Sequence, residues 1–282
     1  MKKLILSIFI ILFVYQIGVS QTENYEVYAL KFASMTHPTP VTQWAQNAPP
    51  NDSVNIDFMI WLIKGNNGRN VLVDAGFLKD LEDAKDFGFI NYTQPDSMLL
   101  RLSLQAKDIT DIILSHPHWD HIDGVGLFPN AHIWMQKEDF NYFTGTAWQK
   151  DGKHGGFNKN DVHKLLDLNL EGKLTLVDGD DKEIIPGIKV YTGSRHTFNS
   201  QYVLVETGLN KVILASDNIW IYYNLDHLQP PPSYGTFDTS AYIKSMQRMK
   251  TLVSDTKYII PGHDSKIFSI FPSIADGIVK IR

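Results

Sequence analysis

Ser115-His116-Pro117-His118-Trp119-Asp120-His121-Ile122-Asp123-Gly124 places three histidines and a carboxylate within six positions. Residues 109–114, Ile-Thr-Asp-Ile-Ile-Leu, form a short apolar, β-branched run before it, which reads as a buried strand ending at the motif. While the chain stays extended, His116 and His118 point to one side, because side chains alternate along a strand. Asp120 and His121, beyond the bend, can face a second point nearby. Zinc takes imidazole and carboxylate ligands at short, fixed distances, so the pattern suits two adjacent metal ions rather than one. A lone His-x-His is commonly a polar turn and nothing more. His-x-His-x-Asp-His followed by Gly at a strand end is too dense for that reading.

Three further residues of the same types follow apolar runs. His196 comes after the run 188–192, Asp217 after 212–216, and His263 after Tyr258-Ile259-Ile260-Pro261-Gly262. Each alone reads as a surface residue. Together, at the ends of three strands, they would converge on one rim of the sheets and complete seven ligands for two ions.

This set, His116-x-His118-x-Asp120-His121 with His196, Asp217 and His263, resembles the metallo-β-lactamase superfamily over essentially all of the chain after its leader. The resemblance implies an α+β fold, a four-layer αββα sandwich with the site at one edge of two sheets. It implies two Zn2+ ions, one held by His116, His118 and His196, the other by Asp120, His121 and His263, with Asp217 and a hydroxide bridging. The gaps of 75, 21 and 46 residues between His121, His196, Asp217 and His263 resemble the N-acyl homoserine lactonases, quorum-quenching enzymes. For them the resemblance implies attack of the bridging hydroxide on the lactone carbonyl of an acyl homoserine lactone, with Asp120 passing the proton to the leaving alkoxide. Phosphotriesterases share nearly the same spacing and are the nearest alternative. True β-lactamases generally lack the bridging Asp, and two of their classes need a Cys. A non-catalytic, secreted zinc-binding protein is the remaining reading.

One position departs from the resemblance. The better-known lactonases carry a Tyr three residues after the bridging Asp, where it helps hold the oxyanion; here that residue is Trp220. Tyr222 and Tyr223 follow, and either is a candidate for the role or for hydrophobic wall. An acyl chain needs an apolar groove, for which Trp44, Trp148, Phe157, Trp220 and Tyr234 are the candidates by composition and position.

These residues must be held by regular elements. Runs 26–33, 56–64, 70–76, 109–114, 131–135, 173–177, 188–192, 201–206, 212–216 and 257–260 read as strands. Gly65-Asn66-Asn67-Gly68 reads as a hairpin turn. Residues 95–105, 136–143 and 239–253 read as helices, the first with a proline start. The proline-rich stretch 36–53 is a long irregular loop of the kind that usually carries function. The aromatic stretch 140–157 is either an excursion over a pocket or a satellite core. Asp74, ending the third strand, is expected as a carboxylate that hydrogen-bonds the loops under the metals.

The 282 residues, 43% hydrophobic and 20% charged, are of ordinary globular composition. A net charge of −5 gives no reason to expect a nucleic-acid partner. With no Cys, any zinc site must be built from His and Asp. Met1-Lys2-Lys3, an apolar stretch to Tyr15 and Gly18-Val19-Ser20 read as a signal peptide over 1–20, cleaved before Gln21. A single metallo-hydrolase domain over 21–282 would then be periplasmic or secreted, with no lasting membrane insertion.

Overall fold

Strand Tyr25–Met35 is buried on both faces: Val27 and Ala29 enter one apolar core, while Tyr28, Leu30 and Phe32 enter another. The neighbouring strand Asp57–Gly65 repeats the division, with Met59, Trp61 and Ile63 on one side and Phe58, Ile60 and Leu62 on the other. Strands covered on both faces are apolar through their middles, here Val27–Leu30 and Phe58–Ile63, which is why these stretches lack polar alternation. Fully burying a side chain such as Phe32 or Ile60 contributes about 1.5–3 kcal/mol. The computed structural model describes residues 24–208 and 210–282; the signal peptide expected over 1–20 lies outside the described residues.

The first sheet runs in the order Ser273–Ala275, Ile278–Lys280, Tyr25–Met35, Asp57–Gly65, Asn70–Val73, Asp111–Ile113, His132–Gln136, Leu174–Val177, with Phe89–Ile90 also on Tyr25–Met35. The second runs Lys182–Ile185, Ile188–Thr192, Gln201–Glu206, Lys211–Ser216, Ile259–Pro261. One core lies between the sheets and continues under helix Thr239–Leu252 through Tyr242, Met246 and Met249. The other lies between the first sheet and helices Lys137–Thr144 and Lys159–Leu170, through Phe140, Phe143 and Leu165. The layers are therefore helix, sheet, sheet, helix, as the resemblance implies.

Strand direction gathers the ligands. Asp111–Ile113 pairs parallel with Asn70–Val73, so Asp74 and the histidine motif leave from one edge. Lys211–Ser216 pairs parallel with Ile259–Pro261, and Ile188–Thr192, two antiparallel steps away, points the same way. Asp217, His263 and His196 thus emerge together. The sheets are stitched there by Gln201 N donating to Ser115 O at 2.9 Å and by the Ser115 and Ser216 hydroxyls 3.0 Å apart.

Several sequence expectations need correction. The helix expected over 95–105 is an α-turn, Pro95–Met98, followed by a 3-10 segment, Leu99–Leu102, and ends at Ser103, whose φ of 58° turns the chain out. The strand expected over 257–260 starts later, as Ile259–Pro261 after a 3-10 turn. Helix Lys159–Leu170, capped by the Asn158 side chain on Asn160 N, and strand Lys182–Ile185 were not anticipated. The aromatic stretch is mostly core: Phe140, Tyr142, Phe143 and Phe157 are buried beneath the first sheet.

Candidate metal centre

The chain leaves strand Asp111–Ile113 extended as far as His118 and then winds into the helical turn Trp119–Ile122. That change of period separates the four candidate ligands. His116 and His118 share one side, with Nε2 and Nδ1 3.1 Å apart, and His196 Nε2 lies 3.1 Å from the same His118 Nδ1. Asp120 and His121, in the turn, face His263 instead: His121 Nε2 is 3.3 Å and His263 Nε2 3.6 Å from Asp120 Oδ2. Two ligand sets result, His116, His118, His196 and Asp217 on one side, Asp120, His121 and His263 on the other.

Asp217 divides its two oxygens between them. Oδ2 is 3.4 Å from His196 Nε2 and 3.8 Å from His116 Nε2, whereas Oδ1 is 3.3 Å from His121 Nε2 and 2.9 Å from His263 Nε2. All seven sequence-predicted ligands are thereby brought together.

A layer of hydrogen bonds behind the ligands orients the rings. His121 Nδ1 meets Asp74 Oδ2 at 2.8 Å, His196 Nδ1 meets Gly235 O at 2.8 Å, His263 Nδ1 meets Asp57 O at 3.2 Å, and His116 Nδ1 meets Ser115 Oγ at 2.8 Å. With one ring nitrogen donating to a carbonyl or carboxylate, the other presents its lone pair to the centre. Asp74 is wholly buried and also accepts from Ser115 N and the hydroxyls of Ser115 and Ser216. It holds a φ of 63°, and Ser216 one of 47°, conformations uncommon for residues with a side chain. Gly262 is required by proximity, because a Cβ there would lie 2.5 Å from Asp217 Oδ1.

The donor set fits cations. His121 Nε2 and Asp217 Oδ1 are buried and have no hydrogen-bond partner among the described residues, although both face the second set. Burial and the neighbouring imidazoles hold His116 well below the usual histidine range and His118 down at about 3; burial also lowers His196. These three keep their lone pairs free. On the second set burial pushes the same way but is overcome: Asp120, Asp217 and Asp74 hold His121 well above its ordinary value, and Asp217 and Asp120 raise His263. Carboxylates this close to buried lone pairs demand positive charge between them, and bound cations with displaced protons meet that demand.

A cavity of about 530 Å³ opens directly on the ligands, lined by Met35, Trp44, Phe58, Phe87, Trp119, Trp220 and Tyr234 beside the metal-set residues. Trp44, Trp220 and Tyr234 had been expected here. Phe58, on strand Asp57–Gly65, and Phe87, half exposed on the short helix Glu82–Phe87, are further wall residues; six residues carry no readable period that would mark Phe87. Among the described lining residues there is no Lys or Arg, and Asp83 and Asp86 sit on the wall.

Four expected site residues lie elsewhere. Tyr222 and Tyr223 open helix Tyr222–His227, which carries them off the wall: the Tyr222 ring lies under Lys266 with its hydroxyl buried, and the Tyr223 ring lies on His227. Trp148 stacks on His154 and donates to Phe143 O, and Phe157 packs in the core behind His118. The residues that sequence reasoning missed, Ser115, Ser216 and Asp57, adjoin ligands or strand ends but have no distinguishing type.

The sequence profile of the metallo-beta-lactamase superfamily matches residues 59–263. An N-acyl homoserine lactonase of Bacillus cereus is 26% identical over 239 residues, 79% of this chain and 88% of that one. The structure of a B. thuringiensis AiiA variant with N-decanoyl-L-homoserine bound at its active site superposes with a TM-score of 0.68 at 21% identity, covering 88% of this chain and 97% of that one. AidC, a dizinc quorum-quenching lactonase in complex with a hexanoyl homoserine product, gives 0.64 at 18% identity, covering 91% and 94%.

Proposed function

The chain belongs to the metallo-beta-lactamase superfamily, and from its paired ligand sets we propose that it is a two-zinc hydrolase that opens the ring of N-acyl homoserine lactones. The observation that carries this reading is the cavity: largely apolar and aromatic, with no Lys or Arg among its described lining residues, and open on both candidate ligand sets. A neutral substrate with an apolar tail suits such walls. A β-lactam, with its carboxylate, would meet Asp83 and Asp86 and no compensating Lys or Arg. A neutral phosphotriester fits the same walls and is the second reading.

Two bound zinc ions would supply Lewis acidity and a water of lowered pKa. The protein's own contribution is arrangement. Asp217 spans both sets and fixes their separation, and the rings are locked by Asp74, Gly235, Asp57 and Ser115. Asp120, the more open of the two candidate ligand carboxylates, lines the cavity, and in this reading it would first accept the proton given up by the attacking water and then pass it to the leaving oxygen. Tyr234, the one tyrosine among the described lining residues, gives its hydroxyl to Gln43 O at 2.6 Å. No phenol is therefore assigned to the oxyanion. Residues 1–20 support export, and a mature terminus at Gln21 on N-terminal sequencing would check it.

A substrate panel tests the reading. We expect the highest kcat/KM on acyl homoserine lactones, less on a neutral phosphotriester, and least on a carboxylate-bearing β-lactam. A phosphotriester preferred over every lactone would replace the first reading with the second.

A further inference from the structure

Trp220 is wedged against the shared carboxylate. Its indole Nε1 donates to Asp217 Oδ2 at 2.8 Å, and the ring meets Trp44 and His196 edge-on at centroid distances of 5.4 and 5.6 Å. On its far edge a Cβ at Gly235 would come within 2.2 Å of Cη2, so the ring has no room to swing that way. The same Gly235 carbonyl holds His196 Nδ1. An indole N–H donates only and does not titrate, so its single hydrogen bond is committed whatever the pH. The backbone on either side is fixed as well, by His263 N on Trp220 O and Gly262 N on Ile219 O.

We infer that Trp220 is a positioning residue for the metal centre, pinning Asp217 Oδ2 toward the first ligand set and leaving Oδ1 wholly to the second. The two oxygens are unequal as a result: Oδ2 is shared with the indole, while Oδ1 faces only the His121 and His263 imidazoles of the second set. A carboxylate free to rotate would have to be ordered each time the ions bind; here that ordering is done in advance. The inference rests on the two-ion reading but not on the identity of the substrate.

Trp220→Phe keeps the ring in its slot and deletes only the donor. Removing such a partner of a ligand typically costs 10–100-fold in metal affinity. Zinc content is to be followed by elemental analysis during competition with a chelator, for the purified full-length protein and for Trp220→Phe. We expect two ions in the parent and at least tenfold weaker retention in the variant, with an unchanged circular dichroism spectrum. A second measurement needs no foldable variant: in protein carrying 15N-tryptophan, one of the six indole N–H signals should exchange slowly and shift on zinc addition. Equal retention by Trp220→Phe, or no indole signal that responds to zinc, would overturn the inference while leaving the two-ion reading intact. A parent protein that binds no zinc would overturn both.

Discussion

Asp74 Oδ2 stands 2.8 Å from His121 Nδ1, and the same oxygen takes the hydroxyls of Ser115 and Ser216. One buried carboxylate thus orients a ligand of the second set and ties together the strand ends that carry His116 and Asp217. Its positive φ is a backbone state that Asn also tolerates.

Asp74→Asn is therefore a sharp substitution. It keeps shape and backbone but turns an amide donor toward Ser115 N, His121 or the two hydroxyls. Leaving one buried donor unmatched costs about 1–3 kcal/mol, and loss of the His121 support should weaken metal binding 10–100-fold. Thermal unfolding and zinc content after dialysis read the two effects. Full zinc retention in the variant would contradict this role.

Gly262 lies against the bridging carboxylate with a φ that any residue can adopt, so the constraint there is space. A Cβ would meet Asp217 Oδ1 at 2.5 Å and Ser216 C at 2.9 Å. Gly262→Ala should fold with about 1–3 kcal/mol lost to overpacking and should displace Asp217, lowering zinc content. A variant with native stability and two zinc ions would show that the contact can relax.

Asp139 gives a pH-dependent prediction. It is buried beneath the loop that carries His196, accepting from Thr197 Oγ1 at 2.6 Å and Asn199 N at 3.0 Å, yet burial pushes its carboxyl up to about 6 from an ordinary 3.8. The native state then binds the proton more readily than the unfolded chain, so stability falls as pH rises from about 4 to 6 and the full cost is present above that. The two-unit difference amounts to roughly 3 kcal/mol. Asp139→Asn carries no such charge. Its unfolding free energy relative to the parent should rise across that window and level off above it; a difference independent of pH would contradict the assignment.

The cavity walls predict which substitutions alter chain-length preference. Trp44→Ala and Phe87→Ala remove lining area and should shift the preferred acyl length, whereas Trp148→Ala, off the wall, should leave it in place. Asp83→Asn combined with Asp86→Asn should lower KM for an anionic ester about tenfold while changing KM for its neutral analogue little. KM values for paired substrates check both points, and equal effects of Trp44→Ala and Trp148→Ala would remove the groove assignment.

Much of the centre was legible because its signal is chemical: His and Asp at the ends of apolar, β-branched runs announce ligands through residue type and spacing alone. Strands Tyr25–Met35 and Asp57–Gly65 were legible in the same way, from apolar runs over 26–33 and 56–64, although their burial on both faces was not. What stayed hidden depends on backbone geometry or on short elements. No residue type marks the positive φ of Asp74 or Ser216. The six-residue helix Tyr222–His227 turns two tyrosines off the wall, and the equally short Glu82–Phe87 brings Phe87 onto it. In neither case is there enough periodicity to say which way a ring will face.

Proton release by the purified, zinc-loaded protein on short- and long-chain N-acyl homoserine lactones reads the proposed ring opening itself. We expect rapid ring opening that stops on chelation and returns with zinc. Protein shown to hold two zinc ions that opens none of these lactones would contradict it.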